Sequence, residues 1–289
     1  MFLKNDAVIY SMSPVLAFFA RTFPGVRLSI ARLEKIKAAD WCEFDGVLFP
    51  FDDRFMDRKR FVAIAAGAIE QAEVSIATKT ITQEDVVVEF GAGLGIAASR
   101  MHKLCVPKRH ICFEANPIIQ EYITQLIAAN NLQMEFQNIA LGNGKALDFY
   151  AMDDYILSSF EKPKQSQAYR KISVPTISLE DVVKTYQPSA IFCDIEGAEL
   201  DYFTARDFAG LKKIVIELHP EIYGLTGQSA FCERMQKKAE SLGSNATISK
   251  NDPGMKMVIN EMARHHFLKG ILFALFSSLN NSLILHLSF

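Results

Sequence analysis

Val86-Val-Val-Glu-Phe-Gly-Ala-Gly-Leu-Gly95 is the most informative stretch of the sequence. The apolar run Asp85–Phe90 predicts a buried strand, and the residues from Leu94 to Cys105 predict the helix that follows it. The alternating glycines between them allow a sharp turn, and they let a ligand approach the backbone with no Cβ in the way. This strand–turn–helix pattern predicts a site for a cofactor that contains a nucleoside.

Strand and helix patterns alternate on both sides of this turn. The other predicted strands cover His110–Glu114, 133–141, Ala190–Asp194, Lys213–Leu218, and two short segments near 246–250 and 255–260, whereas predicted helices cover Pro117–Asn130, Ala198–Phe208 and Gln228–Leu242. Short apolar strands that are separated by helices indicate βαβ units. The sequence therefore predicts an α/β, Rossmann-like fold with a doubly wound, mostly parallel sheet.

The chain is predicted to have four parts. They are an N-terminal helical cap over residues 1–64, a Rossmann-like domain over 65–262, an insertion over 142–189 within that domain, and an apolar C-terminal tail over 263–289. The insertion is too long for a plain crossover between two strands. It has strand-like Leu147–Met152 and Ile172–Ile177 and a helix capped at Ser178, and we expect it near the strand ends where such folds bind ligands.

Both ends of the sequence contain apolar stretches. Ala7–Ala20 resembles a weak signal peptide, but Pro14 interrupts it and no cleavage site follows, so an N-terminal helix packed on the domain is expected. The tail has apolar residues at helical spacing, although Phe267–Leu279 is too short to span a bilayer. Three interpretations of the tail stay open: a helix that covers the core, a homodimer interface, or a contact with a membrane surface.

Composition excludes several classes of protein. The chain has 289 residues, of which 49% are hydrophobic and 22% charged, and this balance is typical of a globular protein. Five scattered cysteines with no C-x-x-C spacing argue against a disulfide framework or a cysteine-rich zinc site, and they favour a cytoplasmic location, with peripheral membrane contact if the tail supplies it. A net charge of −2 does not indicate a nucleic-acid binder.

Two cofactors fit the glycine turn and the acidic residue that follows the second strand. Glu114 is placed to accept hydrogen bonds from both ribose hydroxyls in either case. The segment from Gly93 to Ala98 satisfies the dinucleotide pattern G-x-G-x-x-A. An S-adenosylmethionine site instead needs an acidic residue before three alternating glycines, and Glu89 with the glycines that end at Gly95 provides them. Charge favours S-adenosylmethionine, because Glu89 can face the cationic end of its methionine moiety.

A second group of polar residues follows the later strands. Asp194, Glu196 and His219 lie at predicted strand ends and could bind a substrate or accept a proton, whereas Glu199 is expected to complement a helix dipole. Neither His265 nor its neighbour has a partner at ligand spacing, so no metal site is expected. The residue types alone assign Glu70 and Glu73, on one helical face, to a solvated surface.

Together these segments resemble the FkbM family of S-adenosylmethionine-dependent methyltransferases. The resemblance covers residues 65–225 and rests on Gly67-Ala-Ile-Glu70-Gln-Ala-Glu73, Val86–Gly95, Phe113-Glu-Ala-Asn-Pro117, Asn138-Ile-Ala-Leu-Gly142, Val174–Asp181, Ile191–Leu200 and Glu217-Leu-His219-Pro220. It implies a fold of the class I methyltransferase type and O-methylation of a hydroxyl on a sugar, polyketide or other small metabolite. It also implies that Glu70 and Glu73 face the site.

These observations give one assignment and two alternatives. The expected cofactor contacts are Glu70, Glu89, Gly91, Gly93, Gly95, Glu114 and, at the adenine edge, Asn138; the expected catalytic residues are Asp194, Glu196 and His219. The expected partner is a hydroxylated small molecule, with a glycan or lipid-linked acceptor included, and not a nucleic acid. The alternatives are an NAD(P)-dependent oxidoreductase and a non-catalytic cofactor-binding module. The sequence has no Tyr-x-x-x-Lys pair to carry hydride chemistry, which counts against the oxidoreductase.

Overall fold

A computed structural model describes residues 9–11, 30–152, 169–203, 211–241, 245–249 and 255–260. Its strands are β1 (Ile9–Ser11), β2 (Trp41–Phe44), β3 (Val47–Pro50), β4 (Val86–Phe90), β5 (Arg109–Phe113), β6 (Met134–Gln137), β7 (Ala140–Leu141), β8 (Leu147–Ala151), β9 (Arg170–Val174), β10 (Thr176–Ile177), β11 (Ala190–Cys193), β12 (Lys213–Leu218), β13 (Asn245–Ser249) and β14 (Met255–Asn260). Its helices are α1 (Ile30–Ala38), α2 (Arg58–Ala65), α3 (Gln71–Thr80), α4 (Ile96–Cys105), α5 (Gln120–Asn130), α6 (Leu179–Tyr186), α7 (Glu199–Tyr202) and α8 (Pro220–Ser241).

The central sheet has seven strands in the described part of the chain, in the order β13-β14-β12-β11-β4-β5-β6. The five strands from β12 to β6 are parallel, and β14 runs antiparallel to both of its neighbours. Successive strands step outward from β4 in one direction and then from β11 in the other. This reversal places a crevice at the carboxyl ends of β4 and β11, where doubly wound sheets bind ligands. The predicted Rossmann-like α/β fold is confirmed.

Helices cover both faces of the sheet, which explains why β4 is almost wholly apolar. Val87 packs with Ala77 of α3 and Met101 of α4 on one face. Its neighbour Val88 belongs to the opposite layer, which includes Phe231 of α8. The two layers alternate along the strand because successive strand side chains point to opposite faces.

The N-terminal cap is only partly helical. Besides α1 and α2 it contains a three-stranded sheet in the order β1-β2-β3, which the sequence analysis did not predict. Asp45 and Gly46 have φ of 56° and 74°, so they form the Asp-Gly turn that closes the β2–β3 hairpin. Apolar residues of this hairpin, including Phe44 and Phe49, pack with Tyr122 of α5 and so join the cap to the domain.

One predicted strand and two predicted helices differ from the structure. The third predicted strand, 133–141, divides into β6 of the central sheet and β7, which pairs with β10 of the insertion. The expected N-terminal helix over Ala7–Ala20 is contradicted where it is described, because Ile9–Ser11 is a strand paired with β2. Of the predicted helix Ala198–Phe208, the described part is the single turn α7.

The insertion forms strand pairs and a capped helix, as predicted. β8 and β9 are antiparallel, and the Ser178 side chain accepts a hydrogen bond from the Asp181 backbone N–H at the start of α6. The tail over residues 263–289 lies outside the described residues, so its three interpretations stay predictions. Among the described residues, no helix combines the length and the apolar character needed to cross a membrane.

Candidate functional site

A cavity of about 570 Å³ opens at the carboxyl ends of β4, β5 and β11. Its walls come from the cap, the glycine turn, the segment after β5, the insertion, the segment after β11 and the start of α8. These parts supply Arg60, Ile69, Glu70, Phe90, Gly91, Gly93, Phe113–Asn116, Ile139–Leu141, Phe149, Asp194–Ala198, Asp201, Tyr202 and Ile222. The volume is in the range of small-molecule sites.

The glycine turn brings β4 against the end of β11. A Cβ on Gly91 would lie 1.6 Å from the Asp194 carbonyl oxygen, and Gly91 also has a φ of 80°, so a side chain is excluded there. Gly93 lines the cavity, and a Cβ there would have no atom within 4 Å. Gly95 begins α4 and does not line the cavity. The two cavity glycines therefore differ, since one permits close packing and the other faces open space.

Glu114 lies at the predicted place, directly after β5, and its carboxylate faces the glycine turn. Oε2 accepts a hydrogen bond from the Gly93 N–H at 2.8 Å, and Oε1 accepts one from the Asn116 N–H at 2.7 Å. Burial raises the pKa of Glu114, although these hydrogen bonds act in the opposite direction. The carboxylate thus already binds donors at the cavity wall where ribose hydroxyls are expected.

Glu70 lies in the cavity wall, as the family resemblance implies and in contrast to the solvated surface that its residue type suggested. Its Oε2 accepts a hydrogen bond from the Ala97 N–H at 2.5 Å. Ala97 is in the first turn of α4, where backbone N–H groups lack helical partners. Burial, followed by the charge of Glu73, raises the pKa of Glu70 to about 7. Glu73 is buried as well.

Besides Gly95, two other predicted cofactor contacts do not line the cavity. Glu89 is buried on the face of the sheet that α3 and α4 cover, where its Oε2 lies 2.9 Å from His110 Nε2. Asn138 donates hydrogen bonds from Nδ2 to the carbonyl oxygens of Glu114, at 2.7 Å, and Ala115, at 3.3 Å. Glu89 therefore contacts His110 inside the domain, and Asn138 fixes the segment after β5 through its hydrogen bonds to that backbone.

The structure brings the three predicted catalytic residues together. Asp194 and Glu196 line the cavity after β11, and His219 lies directly behind them after β12. His219 Nε2 is 3.4 Å from Asp194 Oδ1 and 3.4 Å from Glu196 Oε2. Glu196 has a φ of 52°, a left-handed conformation that is uncommon for a side chain other than glycine and recurs at functional sites.

Sequence reasoning missed the function of Glu199. Its side chain is fully buried, and Oε1 lies 2.6 Å from His219 Nδ1. Helix capping was expected because Glu199 begins α7, and no local pattern shows that β12 places a histidine against it. Burial opposes the charged imidazole, but the hydrogen bond to Glu199 and the surrounding carboxylates outweigh it and raise the pKa of His219 to about 9.

Asp194 is the second group of this cluster with a shifted pKa. Burial is the largest cause, and the nearby carboxylates of Glu217 and Glu196 add to it, so the pKa of Asp194 lies well above its ordinary value. The raised pKa makes the Asp194 carboxylate a stronger base, which suits it to accept a proton. The cavity therefore has hydrogen-bond acceptors at Glu114 on one wall and a proton-accepting cluster on the other.

A doubly wound sheet with a glycine turn, an acidic residue after the second strand and a cavity at the switch point defines a Rossmann-like protein, a class that typically binds nucleoside-containing ligands at this place. Residues 86–262, more than half of the chain, match the family described as the Methyltransferase FkbM domain. The chain belongs to this family. The resemblance seen in the sequence is thereby confirmed, and so is the class of enzyme, a methyltransferase.

Several solved structures are similar to the chain at low sequence identity and low TM-score. Precorrin-6y C5,15-methyltransferase from Geobacter metallireducens is 10% identical with a TM-score of 0.43, and the match covers 74% of this chain and 94% of that one. TYW2 from M. jannaschii, in complex with AdoMet, is 17% identical with a TM-score of 0.41 and coverage of 76% and 82%. TrmK from M. capricolum, in complex with S-adenosyl-homocysteine, is 10% identical with a TM-score of 0.40 and coverage of 65% and 67%. No curated protein matches the chain significantly.

Proposed function

We propose that the protein transfers a methyl group from S-adenosylmethionine to a hydroxyl oxygen of a sugar, polyketide or other small metabolite. The observation that supports this proposal is a single cavity whose two walls offer different chemical groups. Glu114 and the glycine turn form the first wall, and Asp194 and Glu196 form the second. Membership of a methyltransferase family supports the reaction class.

The residues at the first wall fit the nucleoside part of this cofactor. Gly93 faces open space, so a ligand can lie against its backbone, and Glu114 can exchange its backbone donors for ribose hydroxyls. Charge-assisted hydrogen bonds of this kind contribute about 1.5–3 kcal/mol each. Glu70 adds a further carboxylate to the same cavity. When bound, S-adenosylmethionine supplies an electrophilic methyl group on a sulfonium centre.

The second wall fits the acceptor. Asp194 and Glu196 accept a hydrogen bond from the hydroxyl and so orient its oxygen, and orientation is a large part of catalysis in a transfer between two bound groups. Asp194 takes the proton that the hydroxyl gives up, since its raised pKa matches that task. Glu199 holds His219 behind the two carboxylates.

Isothermal titration tests the cofactor directly. S-adenosylmethionine and its demethylated product are expected to bind the wild type with micromolar Kd, and NADH is not. Gly93→Arg fills the open space and is expected to abolish binding. Gly144→Arg is the matched control, because Gly144 also has positive φ and open space around its Cβ position but lies outside the cavity wall. Binding of NADH alone would favour the oxidoreductase, and binding of no ligand would favour a degenerate site.

Glu114 provides a second, finer test. Glu114→Gln keeps the shape of the side chain but removes the charge that strengthens hydrogen bonds to the ribose, so the Kd for S-adenosylmethionine is expected to rise at least about fivefold. An unchanged Kd would contradict the ribose assignment. The wider expectations, a cytoplasmic location, no nucleic-acid partner and a homodimer or membrane contact through residues 263–289, stay predictions.

A further inference from the structure

We propose that Asp194, Glu196 and His219 bind a divalent cation at the acceptor wall of the cavity. We call these three residues the open cluster. Each offers one ligand atom, and the three atoms lie within 4.8 Å of one another. A cation about 2.1 Å from each ligand needs ligand atoms about 3 to 4 Å apart. The two 3.4 Å separations from His219 Nε2 to the carboxylates meet this requirement, and the ligand oxygens of Asp194 and Glu196 lie within 4.8 Å of each other.

His219 provides an observation that does not depend on the carboxylates. It is only 7% exposed, and its Nδ1–H donates to the buried carboxylate of Glu199. This contact directs Nε2 toward Asp194 and Glu196, yet Nε2 makes no hydrogen bond in the described part of the chain. A histidine whose second nitrogen donates to a carboxylate is the usual arrangement behind a metal-binding imidazole.

Asp194 shows a second unsatisfied atom. Its Oδ1 is buried and has no hydrogen-bond partner among the described residues, although it lies 3.4 Å from His219 Nε2. Buried polar oxygens nearly always have a partner in folded proteins. A cation between Oδ1 and Nε2 would satisfy both atoms at once.

The charge balance favours a cation over a further neutral ligand. Asp194, Glu196 and Glu199 surround a single imidazole, and the charges of Glu70 and Glu217 also act on Asp194. Carboxylates that converge in a partly buried site repel one another unless positive charge compensates them. His219, with a pKa of about 9, supplies one positive charge to these carboxylates, and a divalent cation that takes the place of its Nε2 proton supplies a second.

A second group of residues has similar ligand geometry but no access to the cavity. Glu89, His110 and Cys112 also place three ligand atoms within 4.8 Å, and we call them the sealed cluster. All three are buried inside the domain and lie outside the cavity wall. By contrast, the Glu196 side chain is 55% exposed and borders the cavity, so an ion with its water shell can reach the open cluster.

Two carboxylate oxygens and one imidazole nitrogen suit Mn²⁺ and also Mg²⁺, both of which favour oxygen ligands. Three protein ligands leave coordination positions for water and for an oxygen of the acceptor. The role of the cation therefore rests on the proposed function: it holds the acceptor hydroxyl and lowers the pKa of that hydroxyl. With the cation bound, the hydroxyl proton leaves to water at the open side of the cavity, beside the exposed Glu196 side chain, and not to Asp194.

Titration of the full chain with Mn²⁺, followed by electron paramagnetic resonance, tests the site. The wild type is expected to bind one Mn²⁺ with a Kd below about 100 μM, and Mg²⁺ is expected to displace it. Asp194→Asn and Glu196→Gln are each expected to weaken binding at least tenfold. Asp201→Asn is the matched control, because Asp201 is an acidic residue of the same cavity wall outside the cluster, and it should bind Mn²⁺ like the wild type.

Two outcomes would overturn the proposal: no Mn²⁺ binding by the wild type up to millimolar concentration, or equal binding by wild type, Asp194→Asn and Glu196→Gln. Thermal melting of each variant shows that it is folded, and the exposed position of Glu196 keeps the test usable if Asp194→Asn unfolds. S-adenosylmethionine binding is measured after treatment with a chelator. If it persists while Mn²⁺ does not bind, the cation site fails and the proposed function stands.

Discussion

The sealed cluster and the open cluster both combine a histidine with at least one carboxylate, but their surroundings differ. His110 lies 2.9 Å from the Glu89 carboxylate in the sealed cluster, and His219 lies 3.4 Å from the carboxylates of Asp194 and Glu196 in the open cluster. The sealed cluster lies beneath α4, and the His110 ring stacks on His102. The open cluster borders the cavity. Residue types alone therefore do not identify a site; its access to the cavity does.

The difference follows from where each acidic residue lies relative to the end of its strand. Glu89 is the second-last residue of β4, so its side chain points to the face opposite that of Phe90, which lines the cavity. Asp194 comes one residue after β11 ends, where the chain is free of the sheet's alternation. Relative to the ends of their paired strands, the two acidic residues are two positions apart, and only the later one borders the cavity.

The largest expected effect tests how the open cluster depends on the glycine turn. Gly91→Ala places a Cβ against the Asp194 carbonyl oxygen, and the backbone of one strand end must move. We expect a loss of at least about 5 kcal/mol in the free energy of unfolding, measured by urea denaturation. Gly93→Ala is the control, with a loss of about 1 to 2 kcal/mol from its positive φ. Equal losses would show that β4 and β11 are not packed as described.

The next effect compares the two clusters directly. Glu89→Ala leaves His110 buried without its partner and is expected to reduce the free energy of unfolding by about 3 to 5 kcal/mol. Glu196→Ala removes a side chain that is largely exposed, so a change below about 1 kcal/mol is expected. The Kd for S-adenosylmethionine should stay the same in folded Glu89→Ala. A large loss of cofactor affinity in that variant would show that Glu89 contributes to cofactor binding.

The sequence predicted the sheet well because its signals are local and strong. Apolar runs and the glycine turn placed β4, β11 and β12 within a residue of their observed bounds. The cap sheet was missed because its strongest signal is the single dipeptide Asp45-Gly46. The first strand of that sheet pairs with β2 across about thirty residues, and no local pattern encodes such a pairing.

The site was predictable to the extent that strand order brings strand ends together. Asp194, Glu196 and His219 follow two adjacent parallel strands, so their meeting could be expected. The partners of Glu199 and Glu89 depend on how side chains pack between layers, which a motif does not record. Residue type alone predicted that Glu70 lies on the surface, and only the family resemblance predicted that it faces the cavity.

A smaller effect tests the charge that surrounds the open cluster. The raised pKa of Glu70, about 7 in the folded state, means that this group keeps a proton there that the unfolded chain releases near pH 4.5. Stability from this group is therefore lost as pH rises from about 4.5 to 7. Glu70→Gln can still accept the Ala97 N–H but does not titrate. Relative to wild type it should gain up to about 3 kcal/mol across that window, measured by denaturation at several pH values. A difference that does not change with pH would contradict the buried, charged environment of Glu70.

The smallest expected effect concerns Asn138, which was predicted to contact the adenine edge. Asn138→Ala removes two hydrogen bonds to the carbonyl oxygens of Glu114 and Ala115, so a loss of about 1 to 2 kcal/mol in the free energy of unfolding is expected. Because the side chain lies outside the cavity wall, the Kd for S-adenosylmethionine should rise less than in Glu114→Gln. The same titrations measure both. If Asn138→Ala weakened the cofactor more than Glu114→Gln while leaving stability unchanged, Asn138 would contact the ligand directly, and the segment after β5 would have to rearrange when the cofactor binds.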